Sequence, residues 1–383
     1  MGPIISTIFA GSALIVKSSE RTAWSMKYFS SIARAALIAC GHSPEVVQAI
    51  VCWPQTANHL TSHPEISHIT FIGSRPVAHA VCISAAKALT PVCVELGGKD
   101  PAIILDDVRN FDKVASILMR GVFQSAGQNC VGIERIIALP TAYSKLVQIL
   151  EPRISNLRVG SALGDEDNVD VGAMISSESF DRLETLIADA VSDGAKLLVG
   201  GRRYVHPKYP QGHYFQPTLL IDVLPSMRIA SEELFAPVCV LMRACSVTEA
   251  IQIANATPYA LGASAFGTSK ADLDEVVHGV KAGMVSVNDF AVYYAVQLPF
   301  GGVGGSGYGR FAGEEGLRSI CNTKSVCRDR FPRLVGTSIP KALDYPIRSG
   351  RKGWEVCKGV VTLGYGERIG ERMRGLWEIV RNS

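Results

Sequence analysis

Apolar residues along the chain change period several times, and each change marks a predicted element. Ala13-Leu14-Ile15-Val16-Lys17 and the segment His68 to Ile72 are apolar runs of strand length, whereas Ala23 to Ile38 places its apolar residues at helical spacing. Gly73-Ser74-Arg75-Pro76 follows the second run and opens a predicted helix from about Val77 to Leu89, with Ser74 suited to the N-cap and proline tolerated in the first turn. The alternation continues through Ala102-Ile103-Ile104-Leu105 and a helix with Phe111, Val114, Ile117, Leu118 and Val122 on its apolar face. Next come the run Arg135 to Leu139, helices from about Tyr143 to Leu157 and Phe180 to Val191, and Lys196 to Val199. Alternating strands and helices predict an α/β fold with parallel sheets and crossover helices. The run from Ile4 to Val16 has no basic residues before it and is too short to cross a bilayer, so it reads as an interior helix and strand.

Onto this frame the sequence places one conspicuous thiol. Phe123-Gln124-Ser125-Ala126-Gly127-Gln128-Asn129-Cys130 carries Cys130 on a glycine-containing turn between the helix at Phe111 and the strand at Arg135. Upstream, Glu95-Leu96-Gly97-Gly98-Lys99 supplies a carboxylate. A thiol with an ordinary pKa of about 8.5 is only a few per cent thiolate at neutral pH, yet that fraction is strongly nucleophilic, and a carboxylate can serve it as a base. Read from the residues alone, an inert core thiol is the commoner account of Cys130, and surface carboxylates are the commoner accounts of Glu95 and Glu233. The turn at Gly73-Ser74 has the form of a phosphate-binding helix start, a signal shared with many turns that bind nothing. Pro299 to Gly313 holds seven glycines without the Gly-Lys-Ser/Thr ending of a Walker loop, and reads as structural.

Composition narrows the picture. A formal charge of +3 over 383 residues gives no electrostatic case for nucleic-acid binding, and the ten cysteines include no C-x-x-C pair, as expected for reduced core thiols of an intracellular protein. His59, His63 and His68 invite a metal, but Pro64 interrupts any helix there and no acidic or cysteine ligand is suitably spaced, so no metal site is expected.

The motifs in combination resemble the aldehyde dehydrogenase superfamily from about Gly2 to Val326. They are Lys17-Ser18-Ser19-Glu20, Phe71-Ile72-Gly73-Ser74, Glu95-Leu96-Gly97-Gly98-Lys99, Gly127-Gln128-Asn129-Cys130, Glu232-Glu233-Leu234-Phe235-Ala236-Pro237 and Pro299-Phe300-Gly301-Gly302. Cys52-Trp53-Pro54-Gln55-Thr56-Ala57-Asn58-His59-Leu60 looks like a fungal branch named for meiotic sister-chromatid recombination. The resemblance implies a Rossmann-like NAD-binding domain within residues 1–97, an α/β catalytic domain at 98–310, and a C-terminal return segment with a basic tail at 311–383. It further implies that Cys130 attacks an aldehyde carbonyl, that Glu95 activates water against the resulting thioester, and that NAD takes the hydride. Lys17 and Glu20 match residues at the adenosine ribose, Gly73 and Ser74 the pyrophosphate turn, and Glu233 and Phe235 the nicotinamide side. Glu20 would repel a 2′-phosphate, which favours NAD over NADP. Ala78 stands where the family usually has glycine.

In the family a Trp-Asn segment stands shortly before the Gly-Pro matched here by Gly2-Pro3, and its asparagine completes the oxyanion hole. The expectation is therefore a chain truncated at its N-terminal side, without that donor, the first strands of the cofactor domain and the arm that pairs subunits. One such donor is worth about 10² to 10³ in rate. A homo-oligomer is expected where the arm is restored. The alternative is a non-catalytic interaction protein on the same fold.

The tail beyond Cys327 lies outside the resemblance. It is rich in arginine, and Ile369, Met373, Leu376, Trp377 and Val380 form one stripe of a predicted amphipathic helix. Such a helix suits docking onto the catalytic domain or a partner subunit, or peripheral contact with an anionic membrane, so the expected location is cytoplasmic or at a membrane surface.

Overall fold

The computed structural model describes residues 2–163, 168–295, 297–333 and 338–383. They form two compact units, which divide between Asn322 and Thr323. The first begins with α1 (Gly2–Phe9), β1 (Leu14–Ser18), α2 (Ala23–Ala39) and β2 (Val47–Val51), so the run from Ile4 to Val16 is a helix followed by a strand. β1 and β2 pair in parallel, Leu14 opposite Val47. After α3 (Pro54–Thr61), a second parallel pair forms from β3 (Ile69–Ile72), α4 (Arg75–Ala86) and β4 (Val92–Glu95), with Ile72 opposite Glu95. The two pairs belong to separate sheets. α4 stops three residues short of Leu89, because Leu89 is left-handed at φ +57° and Thr90 N–H closes the helix end on Ala85 O at 3.1 Å.

The next sheet is larger. In chain order its strands are β5 (Asp100–Ile104), β6 (Ile133–Ala138), β7 (Lys196–Val199), β10 (Thr218–Ile221), β11 (Val238–Arg243), β12 (Gly262–Phe266) and β13 (Met284–Val287); the small pair β8 (Arg203–Tyr204) and β9 (Tyr214–Phe215) lies apart from it. Spatial order is β13-β12-β5-β6-β11-β10-β7, parallel except for β7, which runs antiparallel to β10. Helices α5 (Phe111–Phe123), α6 (Pro140–Ser155), α7 (Phe180–Ser192), α8 (Arg228–Ser231), α9 (Val247–Asn255) and α10 (Lys270–Gly279) accompany these strands. α6 starts at Pro140, ahead of the expected Tyr143, since proline in the first turn gives up no helical hydrogen bond. Ile103, Ile104, Leu118, Ile136, Ile137, Leu146 and Phe266 are fully buried between the layers, the pattern of a parallel sheet covered on both faces.

The glycine-rich run returns to the first part of the chain. Its β14 (Gly307–Tyr308) pairs antiparallel with β4, Gly307 opposite Glu95. At Gly307, with φ +110°, a Cβ would lie 2.0 Å from Val94 O, so only glycine lets the two backbones meet. Short helix α11 (Gly313–Ser319) follows.

The second unit holds a helical hairpin, α12 (Gly350–Tyr365) and α13 (Ile369–Asn382). Gly359 and Gly375 meet where the helices cross: a Cβ on Gly375 would sit 2.7 Å from Gly359 O. Among the described residues no helix is long and apolar enough to cross a membrane.

Candidate active site

Cys130 stands where the expected helix-to-strand connection places it, but the connection is tighter than a single glycine turn. After α5, Ser125 and Ala126 both adopt left-handed conformations at φ +56°, and Gly127 follows at φ +71°. A Cβ at Gly127 would lie 2.1 Å from Ala236 O, which presses the turn against the segment after Phe235. Left-handed backbone costs a residue with a side chain about 1–2 kcal/mol, so this turn holds strain beside the thiol. Gln128 pins it by accepting from Ile175 N–H at 2.9 Å and donating to Ser125 O at 3.1 Å.

Around the sulfur stand Tyr294, whose hydroxyl is 3.7 Å from Cys130 Sγ, and Asn129, whose Oδ1 accepts from Tyr294 Oη–H at 3.1 Å. The neighbouring Tyr293 is turned into the cluster of Val131, Leu261, Met284 and Phe300. Phe123 belongs to the main core, and Phe290 packs against it partly buried. Burial pushes the Cys130 thiol up to about 12, and the negative charge of Glu95 adds to the shift.

Glu95 ends β4 and is almost wholly buried. Burial raises its carboxyl, while the Gly97 amide, 3.3 Å away, and the Cys130 thiol oppose the rise. The base and the nucleophile that the sequence separates by 35 positions are thus neighbours. Glu95 O also accepts from Gly73 N–H at 3.0 Å, tying the glycine turn to the carboxylate's own backbone.

Ser74 takes the N-cap position of α4 without a side-chain cap bond, so its hydroxyl does not compete with a ligand at this helix start. Lys17 and Glu20 lie exposed at the C-terminal end of β1, and neither side chain makes a hydrogen bond or ion pair among the described residues. Lys17, Glu20, Gly73, Ser74 and Glu95 all fall at or just beyond the carboxyl ends of parallel strands, where open α/β sheets take their ligands. On the other side Glu233 Oε1 accepts from Gly98 N–H at 3.1 Å. Burial, then the Glu134 charge, pushes its carboxyl up to about 7. Phe235 is half exposed and left-handed at φ +51°.

The anchor of that segment is a buried ion pair that periodicity did not reveal. Lys99 Nζ lies 2.8 Å from Glu134 Oε2, both out of water. Glu134 also accepts from Leu234 N–H at 2.8 Å and Phe235 N–H at 2.8 Å. Arg135 donates to the carbonyls of Lys99, Ile253 and Ala254. Two charged residues inside the apolar run Ile133-Glu134-Arg135-Ile136 were the available signal, since buried charges on a central strand demand partners. Asp100 is another fully buried acid; burial raises it well above the usual carboxylate range, and Oδ2 has no hydrogen-bond partner.

Two cavities of about 270 Å³ lie elsewhere, one lined by Ile154, Tyr204 and Pro217 and one by Val108, Phe266 and Asn288. Cys130 lines neither. Among the described residues no group of three or more His, Cys, Asp or Glu is placed to hold a metal, and His59 and His63 only pack edge to face.

An α/β scaffold that sets a thiol against a buried carboxylate, with a glycine turn and a free helix start beside them, defines a class of cysteine-centred α/β fold. The chain belongs to the aldehyde dehydrogenase family, whose model matches residues 1–326. It is similar to an aldehyde dehydrogenase-like protein of Saccharomyces cerevisiae, 50% identical over all of this chain and 60% of that protein. A Schizosaccharomyces pombe counterpart is 52% identical over all of this chain and 72% of its own length. Among solved structures it resembles Staphylococcus aureus betaine aldehyde dehydrogenase in complex with NAD+, at TM-score 0.72 and 31% identity, covering 80% of this chain and 61% of that one. The chain therefore spans about three fifths of two of these proteins.

Proposed function

We propose that this chain carries the site of an NAD-dependent aldehyde dehydrogenase that oxidises an aldehyde to a carboxylic acid, within the fungal branch suggested by Cys52 to Leu60. The carrying observation is the meeting of Cys130 with Glu95 beside a turn whose Gly73 amide is bonded to Glu95 O. Cys130 Sγ adds to the aldehyde carbon as its proton leaves to Glu95, and the carbonyl π pair moves to oxygen. Bound nicotinamide supplies the hydride acceptor. Glu95 passes that proton to solvent before hydrolysis, then takes one from water as that water attacks the thioester carbon, and the C–S bond breaks to return the thiolate.

The residues present fit a dinucleotide. Ser74 leaves the start of α4 free for phosphate, Lys17 and Glu20 offer an unengaged cation and carboxylate for ribose hydroxyls, and Glu233 with Phe235 faces the nicotinamide end. Glu20 opposes a 2′-phosphate, so NAD is the preferred dinucleotide. An aldehyde is the substrate, and a homo-oligomer the working form where the subunit-pairing arm is restored.

The test is a pair of measurements on Cys130→Ala. NAD binding by calorimetry is expected to persist, while NAD-dependent aldehyde oxidation and esterase turnover both vanish. A full rate in the variant would remove Cys130 from the mechanism, and failure of the unaltered chain to bind NAD would favour the non-catalytic interaction protein.

A further inference from the structure

We propose that the Tyr294 hydroxyl is the donor that meets the oxyanion formed when Cys130 adds to a carbonyl carbon, which makes Tyr294 a catalytic residue of the thiol site. This rests on Cys130 acting as the nucleophile. Beside Cys130 Sγ stand Asn129 with Oδ1 at 3.9 Å, Tyr294 with Oη at 3.7 Å, and the Glu95 carboxyl group. An oxygen that gains negative charge there needs a hydrogen to bind. Glu95 has to be free to take protons in both additions, and Asn129 presents its amide oxygen, which accepts from Tyr294 Oη–H at 3.1 Å. Of these neighbours, Tyr294 is the one with a hydrogen to give.

The distances suit that task. A tetrahedral adduct carries its oxygen on the carbon bound to sulfur, and an effective donor stands about 2.7–3.1 Å from that oxygen. At 3.7 Å from Sγ the hydroxyl is too distant for a short bond to the resting thiol, yet within reach of an oxygen one atom further out. The ring is held in place: it stacks on Phe300 with centroids 5.0 Å apart and planes at 27°, and Phe300 is bonded through its backbone in both directions to Phe311. Tyr294 N–H donates to Ala291 O at 3.0 Å, closing the turn Val292–Tyr294 that left-handed Ala291 begins at φ +56°. A donor fixed before the charge appears needs no rearrangement of its surroundings as the charge forms. Burial, then the charge of Cys130, raises the tyrosine hydroxyl, so it keeps its proton. Tyr294 is half exposed and Cys130 partly exposed, so a carbonyl compound reaches both from solvent. In the step itself Sγ bonds to carbon as its proton passes to Glu95, the carbonyl π pair moves to oxygen, and Tyr294 Oη–H turns from Asn129 Oδ1 to that oxygen without giving up its proton. The pair then returns to re-form the C=O bond, expelling hydride to bound nicotinamide from an aldehyde adduct or the alcohol oxygen, as its anion, from an ester adduct.

The experiment compares two reactions of the full chain that need no dinucleotide. Release of p-nitrophenolate from p-nitrophenyl acetate passes through the oxyanion; alkylation by iodoacetamide, followed at Cys130 by peptide mass spectrometry, uses the same sulfur and forms none. Tyr294→Phe keeps the stacked ring, and should slow the ester reaction about hundredfold or more. Alkylation should slow by less than about tenfold, the most that one neutral hydrogen bond to the sulfur is worth. Asn129→Ala, which frees the hydroxyl, should lower the ratio of ester rate to alkylation rate less than Tyr294→Phe does. Equal slowing of both reactions in Tyr294→Phe would make Tyr294 a support for the thiol, and a larger fall of the ratio in Asn129→Ala would pass the role to the Asn129 amide; either result overturns the proposal. If the unaltered chain releases p-nitrophenolate no faster than Cys130→Ala, the assignment of Cys130 as nucleophile fails, and the role of Tyr294 with it.

Discussion

The sheet from β5 to β13 and the parallel pair β1 with β2 are built from the same repeating unit, yet they finish differently. In the former, strands β5, β6 and β12 are buried along their whole length. In the latter, burial alternates along β1, and α2 leaves Trp24, Tyr28, Phe29 and Ile38 exposed, Trp24 by 79%. Parallel strands are stable when both faces are covered. The contrast shows that this chain invests its fixed geometry in the sheet beside Cys130, and leaves Lys17 and Glu20 on a thinly covered pair.

The sharpest way to break this comparison is to remove one charge from the larger sheet. Lys99→Met strands Glu134 in the interior and should cost about 3–5 kcal/mol in denaturant unfolding, against less than about 0.5 kcal/mol for Lys17→Met. Equal losses would erase the distinction. Amide exchange offers a second view: β5, β6 and β11 should exchange only on global opening, and β1 and β2 through openings several kcal/mol easier.

Glu233 supplies a pH test of intermediate size. Its carboxyl titrates near 7 in the fold against an ordinary 4.5, so the folded chain holds more protons than the unfolded one between those values. The stability linked to this group is present below about 4.5 and lost as pH rises toward 7. Glu233→Gln should flatten that slope in urea titrations at pH 5 and pH 7.5, and an unchanged slope would assign it to other acids. A smaller effect is expected at the thiol turn, where Ser125→Gly and Ala126→Gly should each stabilise by about 1 kcal/mol by removing left-handed strain. Smallest of all, Trp24→Gln should leave the unfolding midpoint nearly unchanged while lowering the binding of a hydrophobic dye.

Much of the architecture was legible because it is local. Period changes located β1, β3, β5, α2, α5 and α7 to within a few residues, and Pro140 explains why α6 begins earlier than its apolar pattern suggests. Cys130 could be recognised on its turn, and Glu95 at a strand end, from the residues beside them. Their meeting could not, for it depends on how separate sheets stack. The same holds for the pairing of Gly307 with Glu95 and for Tyr294 against the sulfur. Three successive left-handed residues after α5 were hidden as well, since serine and alanine give no warning of that conformation.

Glu134 has a consequence for two segments that lie far apart in the chain. One carboxylate grips Lys99, four residues after Glu95, and the amides of Leu234 and Phe235. It acts as a shared bearing: the same oxygens steady the stretch behind Glu95 and the stretch that carries Phe235. Loss of that one side chain would slacken both stretches at once.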